Sequence, residues 1–211
     1  MGGQTHSQLP RTPFLGSAGF LCLLPVGKGT QPLGGRGADH PTRRPPTGPF
    51  SHCKPSGSPP DTDQLPAVHL THAEAQAYCQ WAGGRLPTAA EWRTAGFTEL
   101  RSQPPTPWVR GTTYPWTTGH SPQGANTSDP DPWPRAAPVN ATAAGVNGLH
   151  DMGANVWEWA ADARGDERRT MGGSWWYPAS QMRADVEAWK PADFYAVYIG
   201  FRCVYDPAKQ R

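Results

Sequence analysis

The stretch THAEAQAYCQWAGGRLPTAAEW, residues 71–92, decides how the rest of the chain is read. Thr71 with Glu74, and again Thr88 with Glu91, has the spacing of a capping box. In that arrangement a hydroxyl and a carboxylate satisfy backbone N–H groups that the first turn of a helix leaves without partners. After the first cap, Ala75, Tyr78, Cys79 and Ala82 fall at i, i+3, i+4 and i+7, which is one face of a helix. Gly83 and Gly84 stop it, because glycine accepts the left-handed backbone that closes a helix end. The second helix is short, carries Trp92 and fades near Gly96.

Upstream, Ala67 to Leu70 is a short strand-like run, and before it the composition changes. Residues 1–66 contain 23 of the 49 Gly and Pro residues and neither Trp nor Tyr; all ten Trp and all six Tyr follow. So little aromatic surface does not offset the entropy of ordering a chain. The expectation is a disordered or non-family extension over residues 1–65 and a domain over 66–207. Downstream the chain is mostly turns, with Trp and β-branched residues in short clusters such as Val156–Trp159 and Tyr198–Phe201. This predicts an α+β domain of small strands, long loops and two short helices rather than a layered α/β sheet.

A length of 211 residues suits one domain with a tail. A net charge of +2, with the basic residues scattered, argues against nucleic-acid partners and anionic membranes. No apolar run is long enough to cross a bilayer. Phe14–Val26, behind Arg11, fits a signal-peptide core only loosely, which leaves location open between export and the cytoplasm. The four cysteines, Cys22, Cys53, Cys79 and Cys203, form no short metal-binding spacing. No phosphate loop, Ser/His/Asp triad or pair of catalytic carboxylates supports a kinase or hydrolase.

Seven motifs in a fixed order carry a resemblance. They are AQAYCQWAGGRLPTAAEW (75–92), YPW (114–116), AN (125–126), APV (137–139), NGLHDMGANVWEW (147–159), GGSW (172–175) and IGFRC (199–203). Together they resemble the sulfatase-modifying-factor family of the formylglycine-generating-enzyme type over about two thirds of the chain. The resemblance implies a C-type-lectin-like fold poor in regular structure and pinned by calcium. Family members begin with a strand-rich stretch that residues 1–60 do not match, so the domain is expected to be incomplete on its N-terminal side.

Calcium, a hard cation, takes oxygen ligands from carboxylates, amides and backbone carbonyls in tight loops. Carried over position by position, the resemblance implies one site from the side chains of Asp151 and Glu158 and the carbonyls of Ala154 and Val156. It implies a second from the side chains of Asn126 and Asp131 and the carbonyls of Thr127 and Trp133. Formylglycine-generating members also hold copper(I) between a closely spaced pair of cysteines after the GGS motif, and copper(I) selects such soft thiolates. Here those two positions are Tyr177 and Met182, so no catalytic residue and no copper are expected. Arg183 matches in part an Arg-x-Ala turn of bacterial relatives, whereas Glu187 stands where those relatives often have a second Arg. Trp175, Trp176, Tyr177 and Arg183 are expected to line a groove for a peptide or flat ligand.

Cys79 and Cys203 match a family pair that forms a disulfide; in a reducing compartment they would be buried small hydrophobes. The H-x-x-H-x-E pattern of His69, His72 and Glu74 resembles the iron site of sulfoxide synthases that carry this domain, whose ligands come from a separate helical domain at a wider spacing. His72 and Glu74 nonetheless point to different faces of the predicted helix, so both histidines are taken as structural or exposed. Asn126-Thr127-Ser128 and Asn140-Ala141-Thr142 fit glycosylation acceptors, which matter only in a eukaryotic secretory setting. The expected function is therefore a calcium-pinned monomer that binds a peptide or small molecule, or regulates a partner, without making formylglycine. The alternatives are a formylglycine-generating oxidoreductase or a remnant of an iron-dependent sulfoxide synthase.

Overall fold

Both capping boxes close in the computed structural model, which describes residues 54–55, 64–104, 114–115 and 124–205. Thr71 Oγ1 accepts from the Glu74 backbone N–H at 3.4 Å, and the Glu74 carboxylate accepts from Thr71 N–H at 2.8 Å. They start helix α1, His72–Trp81. The same exchange between Thr88 and Glu91, at 3.2 and 2.9 Å, starts α2, Ala89–Phe97. Gly83, at φ +84°, turns the chain out of α1. At Gly84 a Cβ would lie 2.6 Å from the Val204 carbonyl oxygen, so only glycine lets the C-terminal segment lie against this turn. Arg85 and Val204 then exchange both backbone hydrogen bonds, at 3.0 and 2.8 Å.

The strands are short, as a loop-rich composition implies. β1 (Lys54–Pro55) pairs antiparallel with β2 (Ala67–Val68). A second sheet has the order β5-β4-β3-β6, built from β3 (Trp157–Arg164), β4 (Glu167–Met171), β5 (Ala188–Pro191) and β6 (Ile199–Phe201). β3 runs antiparallel to β4 and parallel to β6. One pairing thus already lies upstream of Pro66, within the expected extension. Apart from residues 54–55 and 64–65, that extension lies outside the described residues.

β3 is covered on both faces, and this places the site. Trp157 and Trp159 pack with Leu70, Ala75, Cys79, Ile199 and Phe201 on the α1 side. Ala160 packs with Ala89, Trp92, Phe97, Met152 and Met171 on the α2 side. Glu158 lies between them on that second face and is fully buried. Trp92 and Trp159 are among the largest fully buried side chains; burying a large apolar side chain contributes roughly 1.5–3 kcal/mol. Cys79 in α1 and Cys203 after β6 form a disulfide. It is the pairing that the resemblance implied.

Candidate functional site

Glu158 stands at the centre of a buried polar network. Its Oε2 accepts from Arg202 Nε at 2.6 Å and from the Trp92 indole N–H at 2.7 Å, and its Oε1 accepts from Arg202 Nη2 at 2.6 Å. Arg202 Nη2 also donates to the carbonyls of His150 and Asp151, at 3.2 and 3.1 Å. Burial opposes the charge of Arg202, but the attraction of Glu158 outweighs it and holds the guanidinium above its ordinary pKa. A fixed cation therefore already joins the carboxylate to the loop that precedes β3.

That loop is tightly wound: Asp151, Ala154 and Asn155 all have positive φ, at 58°, 70° and 55°. Asp151 is buried; its Oδ1 accepts from the Thr142 hydroxyl at 2.6 Å and its Oδ2 from Asn140 N–H at 3.2 Å. The loop has the winding expected of an ion-binding turn, but Glu158 does not fit as a calcium ligand. Three donors already engage the carboxylate on both oxygens, and two of them belong to a cation that would repel a second one at that distance. Arg202 lies in the IGFRC motif, but no spacing in the sequence links it to Glu158.

The second expected calcium loop fits better. Asn126 is fully buried; its Nδ2 donates to the carbonyl of Arg135 at 2.7 Å and to Asn155 Oδ1 at 3.2 Å. These bonds fix the amide's orientation and leave Oδ1 buried without a hydrogen-bond partner among the described residues. An orphaned buried carbonyl oxygen is what a hard cation satisfies. Asp131 shapes the same loop by accepting from Thr127 N–H at 2.9 Å and Trp133 N–H at 2.7 Å. Among the described residues no three His, Cys, Asp or Glu side chains converge. A metal here would rest mainly on amide and backbone oxygens, a donor set for calcium rather than for soft metals. Burial of Asn126 also removes it as a glycosylation acceptor in the folded domain.

In the segment after GGSW, Met182 and, in part, Tyr177 pack inward. Gly172 and Gly173 have φ of +93° and +78°, and a Cβ on Gly173 would lie 2.8 Å from the Met182 side chain. Met182 is 1% exposed and packs with Tyr114, Ala125 and Ala154. Tyr177 stands edge-on to Trp157 and Tyr198, with ring centroids at 5.7 and 5.8 Å. Burial, and then its hydrogen bond with Tyr198, push the Tyr177 phenol above its ordinary pKa. Arg183 makes a two-pronged ion pair with the exposed Asp185, both bonds at 2.8 Å. Glu187 bridges Arg93 and Arg169 at 3.1 and 2.9 Å.

The groove differs in membership from the one expected. Trp175 and Trp176 do line an open cavity of about 400 Å³, but its other wall is the loop from Thr127 to Pro134, including Asp129, Asp131 and Trp133. Tyr177 is half-buried against the first core cluster, and neither it nor Arg183 is part of the lining. The two histidines are structural. His72 is buried with Nε2 at 3.0 Å from the Ala160 carbonyl, and His69 stacks edge-on against Tyr195 at 4.7 Å.

Three similarities agree with this geometry. Over 192 residues the chain is 32% identical to the formylglycine-generating enzyme of Thermomonospora curvata, covering 72% of this chain and 59% of that protein. Over 159 residues it is 31% identical to the inactive C-alpha-formylglycine-generating enzyme 2 of Mus musculus, covering 66% of this chain and 49% of that protein. It thus spans about half to three-fifths of the length of these relatives. The solved structure of PvdO from Pseudomonas aeruginosa matches with a TM-score of 0.55 at 21% identity, over 68% of this chain and 62% of that one. The fold is the α+β, C-type-lectin-like arrangement of the formylglycine-generating-enzyme type. The profile of the sulfatase-modifying factor enzyme 1-like domain matches residues 43–207, starting upstream of Pro66, and the chain belongs to that FGE-sulfatase family.

Proposed function

We propose that this domain binds a peptide or small ligand, or regulates a partner, without generating formylglycine. One observation carries the reading. At the two positions where the resemblance puts copper thiolates stand a phenol locked between Trp157 and Tyr198 and a thioether buried against Gly173. Neither is a thiolate, and copper(I) selects thiolates. Cys79 and Cys203 are committed to each other across the first core cluster, and Cys22 and Cys53 lie outside the described residues. That a relative at 31% identity carries the name of an inactive enzyme supports the same reading.

Calcium belongs to this proposal at the Asn126–Asp131 loop, where it would complete the orphaned amide oxygen and stiffen one wall of the cavity. The domain is taken to act as a monomer. The competing reading is an oxidoreductase, favoured by the 32% identity to a formylglycine-generating enzyme. Incubation of the protein with copper, a reductant, oxygen and a cysteine-bearing sulfatase peptide separates them. The peptide's mass is expected to stay unchanged; conversion of its thiol to an aldehyde would overturn the proposal.

A further inference from the structure

The Trp-lined cavity carries a chemical signature of its own. Trp175 and Trp176 meet at 5.0 Å between ring centroids with planes 59° apart, so they form a wedge rather than a stack. Trp176 is 60% exposed, an unusual placement for so large an apolar surface. Trp133, Asp129 and Asp131 line the same cavity, and among the described residues no lysine or arginine lines it. The Asp131 carboxylate is turned onto its own loop by two backbone N–H groups. Asp129 is exposed and makes no ion pair among the described residues. Ser128 N–H donates to the Tyr177 carbonyl at 3.0 Å, which ties the acidic wall to the aromatic one.

The same domain shows how its tryptophans are otherwise covered. Trp189 is flanked by Arg164 and Arg169, whose guanidinium carbons lie 4.6 and 4.4 Å from its ring. Neither Trp175 nor Trp176 has such a cation among the described residues. An aromatic wall gains most from a weakly hydrated planar cation, and a carboxylate opposite it gains most from a donor fork. A guanidinium meets both requirements, whereas a strongly hydrated ammonium does not stack.

We propose that this cavity receives the guanidinium group of an arginine presented by a peptide partner, stacked in the Trp175–Trp176 wedge and paired with Asp129. The site rests on the ligand-binding reading above and names its ligand class. The open outer side of the cavity leaves the peptide main chain in solvent, so a single side chain is the anchor. Calcium at the Asn126–Asp131 loop would engage Asp131 and leave Asp129 for the arginine.

The test uses the whole chain and three blocked glycine pentapeptides whose central residue is arginine, lysine or glutamine, followed through the indole N–H signals in NMR. Trp175 Nε1 is buried without a hydrogen-bond partner among the described residues, and its signal is a sensitive reporter. The arginine peptide is expected to move the Trp175 and Trp176 signals and to bind at least about tenfold more tightly than the glutamine peptide. Asp129→Asn and Trp176→Ala, both at exposed positions, are expected to remove that preference with unchanged melting temperature. Equal binding of all three peptides, a lysine peptide that matches arginine, or no binding at all would overturn the arginine site. Such a failure, with the cysteine peptide of the oxidation assay still unaltered, leaves the non-oxidative reading standing; an altered cysteine peptide overturns that reading itself.

Discussion

Arg202 and Glu158 form a doubly hydrogen-bonded ion pair sealed from solvent, with side-chain exposures of 6% and 1%, and its free edge ties down the carbonyls of His150 and Asp151. The pair connects β6's flank to β3 and both to the loop that precedes β3. Removing one member of such a pair leaves the other charged and buried. Arg202→Met and Glu158→Gln are each expected to destabilise the fold by roughly 3–5 kcal/mol, while the double variant carrying both costs less than the sum of the single changes. Urea denaturation of the single and double variants measures this; additive losses would show that the two side chains act independently.

Calcium is expected to distinguish the two loops. At a hundredfold excess over its dissociation constant an ion that binds only the native state adds about 2.7 kcal/mol. Melts with calcium and with chelator are expected to differ, and Asp131→Ala is expected to remove the difference. Asp151→Ala is expected to lower stability in both conditions and leave the difference intact. Loss of the calcium response in Asp151→Ala alone would move the ion to the other loop.

The helices and much of the core were legible because their signals are local. Each capping box occupies four consecutive residues, and the α1 face Ala75–Cys79 follows from one period. The strands β4 and β5 gave no such signal: Glu167–Met171 is mostly charged, and Ala188–Pro191 carries a Lys and a Pro. Their place depends on pairing with β3 and with each other, and on Arg169 stacking against Trp189. The site was legible as a set of residues but not as a set of partners. Glu158 is legible as a candidate residue, yet its Arg202 partner lies 44 residues away, and nothing in the spacing foretells the bond. Trp133 and Asp129 meet Trp175 and Trp176 in the same way, through loops without periodicity.

Acid is expected to act in two windows. His72 is held below its ordinary pKa by burial, partly opposed by its bond to the Ala160 carbonyl. Because the unfolded chain takes the proton more readily, the stability His72 contributes is present above about pH 6.5 and declines as pH falls through that value. Glu91 and Glu99 are both lowered to about 2, first by hydrogen bonds from Arg85 and Arg101 respectively. Their contribution is present above the ordinary carboxylate pKa and is lost as pH falls from about 4.5 toward 2. Denaturation midpoints across pH 3–8 should show both declines, and His72→Gln should flatten the upper one only; an unchanged upper decline would assign it to another group.

The disulfide closes a sequence separation of 124 residues. On the chain-entropy account such a loop contributes up to about 5 kcal/mol. Cys79→Ala with Cys203→Ala is expected to lower stability by several kcal/mol and to abolish the sensitivity of the melt to reductant. A double variant as stable as the parent would mean that the bridge adds nothing to the packing already present around Leu70 and Phe201.

The absence of a thiolate pair at Tyr177 and Met182 is tested most directly by titrating copper(I) into the folded chain against a chromogenic chelator. The chain should carry Cys22→Ser and Cys53→Ser, so that no thiol outside the Cys79–Cys203 bridge competes. The expected result is that the chelator keeps its copper, and that adding Tyr177→Cys and Met182→Cys to this background creates a site that takes one equivalent away. Stoichiometric copper(I) capture by the chain that still has Tyr177 and Met182 would contradict the account.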